Sequence, residues 1–120
     1  MLNLNSLIVF SENPSSLMDF YKKVLQKETK WSGGDFSGIE AGSGVLIIGP
    51  HDKVKGKNTQ PERMIYNLET DDVEAEFARI KELGAGVVAE PYHPDEEPTM
   101  TLATLSDPDG NYFQLATPMK

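Results

Sequence analysis

The chain contains no cysteine, so it has no disulfide frame, no thiol nucleophile and no zinc–thiolate site. Long hydrophobic runs are missing too: no window approaches the ~18 consecutive apolar residues of a membrane span. Basic residues are scarce. Eleven Lys and Arg against 19 Asp and Glu give a net charge of −8, which repels a phosphate backbone and argues against a nucleic-acid partner. No Lys or Arg precedes Lys22, so a signal peptide would lack its basic region, and a cytoplasmic protein is expected. Neither a Gly-x-Ser-x-Gly elbow nor a Gly-Lys-Ser/Thr phosphate loop occurs, which removes two common catalytic signatures.

What is present fits one globular domain of 120 residues, long enough to bury a single core without staples. The stretch 51–62 is polar and turn-forming, with Val54 as its one aliphatic residue, and reads as a linker between a first module at 1–50 and a second at 63–120. Leu7-Ile8-Val9-Phe10 reads as a buried strand. Asn13 followed by Pro14 marks a helix start, and Leu17, Phe20, Tyr21, Val24 and Leu25 form one apolar helical face. Strands fit Thr29–Trp31, Phe36–Ala41 and Val45–Ile48, separated by Gly33-Gly34 and Gly42-Ser43-Gly44 turns.

The second module repeats the order. Met64–Glu69 reads as a strand. Thr70 or Asp71 caps the next helix, with Glu74 completing a capping box from Asp71. Val73, Phe77 and Ile80 make the buried stripe, and Gly84 stops the helix. Ala85–Ala89 reads as a strand, Glu90–Met100 as a long polar loop with three prolines, and Thr101–Ser106 and Asn111–Thr117 as strands around the turn Asp107-Pro108-Asp109-Gly110. The expected fold is α+β: two βαβββ modules forming a curved mixed sheet with a cleft, one helix per module packed on the outside.

This plan, with Asp19-Phe20-Tyr21-Lys22-Lys23-Val24-Leu25, Glu69-Thr70-Asp71-Asp72-Val73 and Asp107-Pro108-Asp109-Gly110-Asn111, resembles the vicinal oxygen chelate superfamily. That superfamily includes glyoxalase I, bleomycin-resistance proteins and extradiol dioxygenases. Its catalytic members hold a divalent metal with His and Glu. The resemblance puts those ligand positions at Ser6, Ile65 and Gln114, with a fourth on Val45–Ile48, which has no polar side chain. Such donors cannot hold a catalytic ion against water, so neither metal nor other cofactor is expected. His51 and His93 read as exposed loop residues, or else as loop ligands helped by Glu40 or Asp95.

The resemblance therefore points to metal-free, antibiotic-binding members. Alternation from the same positions sends Ile8, Phe10, Asn67, Glu69 and Tyr112 toward the cleft together with Ser6 and Gln114, and Phe113 and Leu115 under the helices. Candidate ligand-binding residues are Ser6, Ile8, Phe10, Trp31, Phe36, Asn67, Tyr92, Tyr112 and Gln114, with no catalytic residue assigned. Asp95, Glu96 and Glu97 lie in the loop expected to rim the cleft, and acid with aromatics favours a cationic aromatic ligand. A homodimer is expected, with no membrane partner. Two alternatives stand beside this: a lyase, isomerase or dioxygenase whose ligands lie elsewhere, and an interaction module with a vestigial cleft.

Overall fold

The structure is a computed structural model and describes residues 1–119. The first compact unit is Met1–Gly56 and the second begins at Lys57. In the first, β1 (Ser6–Phe10) leads into α1 (Pro14–Leu25), followed by β2 (Trp31–Gly33), β3 (Phe36–Ala41) and β4 (Gly44–Gly49). The second unit holds a 3-10 turn at Pro61–Arg63, then β5 (Tyr66–Glu69), α2 (Val73–Glu82), β6 (Gly86–Tyr92), β7 (Leu102–Ser106) and β8 (Tyr112–Ala116). Each unit forms a four-stranded mixed sheet of the same plan, ordered β1-β4-β3-β2 and β5-β8-β7-β6. The parallel pair is β1 with β4 in one and β5 with β8 in the other. The fold is α+β, two βαβββ modules with one helix each.

One sheet face in each unit is the core. In the first, Ile39, Leu46 and Ile48 are buried together with Leu17, Met18, Phe20, Tyr21 and Val24 of α1, and α1 lies against β3 and β4. Met18 takes a buried place on the helix while Leu25 is only half-buried. In the second, Ala103, Leu105, Phe113 and Leu115 are buried with Val73, Phe77 and Ile80 of α2. Each such Val, Leu, Ile, Met or Phe side chain contributes about 1.5–3 kcal/mol by leaving water.

Several boundaries differ from the sequence reading. The strand expected at Thr29–Trp31 runs instead from Trp31 to Gly33. Gly33 pairs with Phe36, so the tight turn is Gly34-Asp35, and the positive φ of Gly34 sets where pairing must end. Met64 and Ile65 precede β5 rather than belonging to it. Strand β6 continues through Glu90 and Pro91 to Tyr92. Proline is tolerated there because β6 is an edge strand whose register with β7 is broken by irregularities.

The helix caps differ as well. Asn13 is the N-cap of α1 but makes no side-chain capping bond. Instead the buried Ser11 accepts the Asn13 N–H on its Oγ at 2.9 Å and donates its own N–H to the Gly49 carbonyl. Asp72, rather than Thr70 or Asp71, caps α2: its carboxylate accepts the Ala75 N–H at 3.0 Å. Thr70 accepts the Asp72 N–H through its hydroxyl. With Ala75 as the third helical residue, there is no reciprocal bond from Glu74.

The Asp-Pro-Asp-Gly turn is built around one carboxylate. Asp107 is buried, and its oxygens accept the N–H groups of Asp109 and Asn111 and the Asn111 side-chain amide at 2.9–3.2 Å. The stretch expected as a linker divides between the units. The Gly56 N–H reaches Glu12, whereas Asn58 bonds to the Asp109 carbonyl and the Asn111 side chain.

Candidate functional site

The sheet face that α1 leaves uncovered is where the unusual side chains gather. Cα register defines three rows across the first sheet, since paired residues share a face and alternate residues return to it. One row holds Ser6, Val45 and Glu40; the next Ile8, Ile47, Gly38 and Trp31; the third Phe10, Gly49, Phe36 and Gly33. Five of the candidate residues, Ser6, Ile8, Phe10, Trp31 and Phe36, thus share one face. It spans about 13 Å along the strands and about 14 Å across them.

Two glycines shape it. A Cβ on Gly38 would strike the Trp31 indole, and one on Gly49 would strike the Phe36 ring. Each ring therefore lies across its neighbouring strand in space that a side chain would fill. Phe10 meets Phe36 edge-on with centroids 6.2 Å apart, and the His51 ring meets Phe10 at 5.0 Å and 73°. The surface stays open: Trp31 is 41% exposed and Ile8 49% exposed. Glu40 is the carboxylate of this face, and Lys30 approaches it only to 4.0 Å with both side chains about half exposed, so that pair contributes little.

On the second sheet the uncovered face carries Asn67, Gln114, Thr104 and Ala89 in one row. Glu69, Ala116, Leu102 and Tyr92 make the next, and Tyr112, Ser106 and Gly86 the third. Here the remaining candidates, Asn67, Tyr92, Tyr112 and Gln114, come together. The face is more polar, and the Gln114 amide donates to the Thr104 hydroxyl at 3.4 Å. Sequence reasoning missed the seats at Gly38 and Gly49, although a glycine inside a strand, as Gly38 is in β3, is the usual signal for a close approach. It also left His51 in a loop, where its contact with Phe10 was not visible.

His93 plays a different part. Its Nδ1 lies 2.9 Å from the Met100 carbonyl, to which it donates, and 3.4 Å from the Thr101 hydroxyl. It closes the base of the loop that carries Asp95, Glu96 and Glu97. Lys22, near the end of α1, is raised above its ordinary pKa by its hydrogen bond to Glu28 and by that carboxylate's charge.

The sequence profile of the glyoxalase-like domain matches residues 6–116. The chain belongs to the glyoxalase-like domain family. That places it in the vicinal oxygen chelate superfamily. Solved structures agree on the fold. A glyoxalase/bleomycin resistance protein/dioxygenase family enzyme from Burkholderia phytofirmans PsJN superposes with a TM-score of 0.80 at 17% identity, covering 98% of this chain and 100% of that one. A lactoylglutathione lyase from Agrobacterium tumefaciens gives 0.73 at 14% identity over 96% and 92%. A glyoxalase-related enzyme from Fulvimarina pelagi gives 0.78 at 12% over 98% and 89%. No curated protein matches the chain in sequence.

The metal that catalytic members of the superfamily carry does not suit the residues present. Ser6 is a neutral hydroxyl, Ile65 has no donor, Gln114 offers one neutral oxygen, and the strand position is filled by Val45 and Ile47. Among the described residues no three His, Asp or Glu side chains cluster closely enough to hold an ion. A divalent ion needs several imidazole or carboxylate donors.

Proposed function

We propose that this protein binds a small molecule without a metal, in the manner of bleomycin-resistance-like members of its superfamily. Its ligand is a planar aromatic cation on the open face of the first sheet. The observation that carries this is the pairing of Trp31 with Gly38 and Phe36 with Gly49. Two strand positions are emptied so that aromatic rings cover the sheet face that the helix does not. An exposed aromatic patch of this kind marks a binding surface. Glu40 at one margin and the −8 net charge favour a cation, which the indole face also attracts. Asp95, Glu96 and Glu97 are proposed to raise the association rate through their field.

The proposal extends to the open face of the second sheet, where Tyr92 and Tyr112 supply rings and Asn67 and Gln114 supply polar points. It also includes a homodimer, supported by the exposed apolar side chains Val87 and Val88 on edge strand β6. The test is a thermal-shift screen of planar aromatic cations against planar aromatic anions of equal size. At concentrations a hundredfold above Kd, a true ligand adds about 2.7 kcal/mol of stability, a shift of several degrees. Cations should stabilise the protein and anions should not. Stabilisation by neither class would refute the proposal.

A further inference from the structure

We infer that His51 is a specificity-determining residue of the aromatic face, and that the ligand presents a hydrogen-bond acceptor to it. This rests on the ligand-binding reading above and adds a second chemical requirement to it. The His51 ring stands edge-to-face against Phe10, a residue of the third row of the open face. Its Nδ1 accepts the Lys53 N–H at 3.0 Å and lies 3.2 Å from the Asp52 carboxylate. With Nδ1 accepting, the neutral ring carries its proton on Nε2. The imidazolium carries one there too, with Nδ1–H then turned to Asp52. Nε2 is therefore a donor in both forms.

The ring is held by Phe10 on one side and the Lys53 amide on the other, with its side chain 42% exposed. Glu40 belongs to the first row and His51 adjoins the third, so the two polar ends of the face are separated by its apolar middle, Ile8, Ile47 and Trp31. A ligand matching this face has a cationic end, a flat apolar body and an acceptor such as a carbonyl at the other end.

The probes are 9-aminoacridine, a planar cation, and the same ring bearing a carboxamide at position 2 or position 4, compared by calorimetry on the full chain. One of the carboxamides should bind about three- to tenfold tighter than the parent, the span of one net hydrogen bond. His51→Phe keeps a ring against Phe10 but removes the donor. It should abolish that gain, so that the variant binds parent and carboxamides equally, whereas Trp31→Ala should weaken all the probes. Equal affinity of parent and carboxamides, or a gain that survives His51→Phe, overturns the role of His51 even while Trp31→Ala still weakens binding. Failure of every probe to bind, or indifference of all of them to Trp31→Ala, overturns the aromatic-face reading and this inference with it.

Discussion

At Gly38 and Gly49 a single methyl group would decide where an aromatic ring sits. Gly38 lies inside β3 and Gly49 closes β4, and glycine in a strand weakens a sheet unless something else needs the space. Gly38→Ala should push the Trp31 indole off the sheet, cost about 1 kcal/mol through overpacking, and move the emission of this sole Trp to longer wavelength. An unchanged spectrum would mean that the indole does not rest there. The buried Asp107 works in the opposite way, by satisfying three N–H donors at once. Asp107→Ala leaves those donors without their partner and should destabilise the fold by about 2–4 kcal/mol in urea unfolding. At the positions where the resemblance puts metal ligands, Ser6, Ile65 and Gln114 predict that the purified protein shows no stoichiometric, chelator-resistant zinc or nickel by elemental analysis. About one such ion per chain would contradict the assignment.

Among the elements, those legible in the sequence were the ones with a strong period. Leu17, Phe20, Tyr21 and Val24 announce α1, and Val73, Phe77 and Ile80 announce α2, because a 3.6-residue repeat needs no knowledge of the rest of the fold. Where the sequence misled, the deciding partner lay far along the chain or several neighbours competed. Thr70, Asp71 and Asp72 are all acceptable caps, and only the geometry of the turn selects Asp72. Asp72→Ala should therefore cost about 1 kcal/mol, and Asp71→Ala almost nothing, by chemical denaturation. Equal losses would show that the cap is shared. The sequence reads as loop at the end of β6 because Pro91 usually interrupts a strand, and its tolerance at an edge depends on pairing that the sequence does not display. The ring seats were hidden for the same reason: Trp31 meets Gly38 only through the register of β2 with β3. His51 meets Phe10 across 41 positions of sequence, beyond any local pattern.

Over the whole molecule, the repeated sheet order shows one plan used twice, yet the two open faces differ. The first is richer in aromatic rings and the second more polar, a division that appears only once strand register sorts the side chains by sheet. Light scattering should return twice the 13.3 kDa chain mass if the proposed dimer forms; a monomer mass at micromolar concentration would remove it. Charge acts at this scale too. Replacing Asp95, Glu96 and Glu97 by their amides should slow association of a cationic ligand and flatten its salt dependence, while dissociation stays nearly constant. An unaltered association rate in stopped flow would confine the electrostatics to Glu40.

Trp31 is proposed to form part of a surface for planar aromatic cations, and its fluorescence reports on that surface directly because no other Trp is present. Titration with 9-aminoacridine should quench Trp31 emission saturably at micromolar concentration, with one equivalent per chain, and naphthalene-2-sulfonate should leave it unchanged over the same range. A response that never saturates, or an equal response to the anion, would show that Trp31 does not line such a surface.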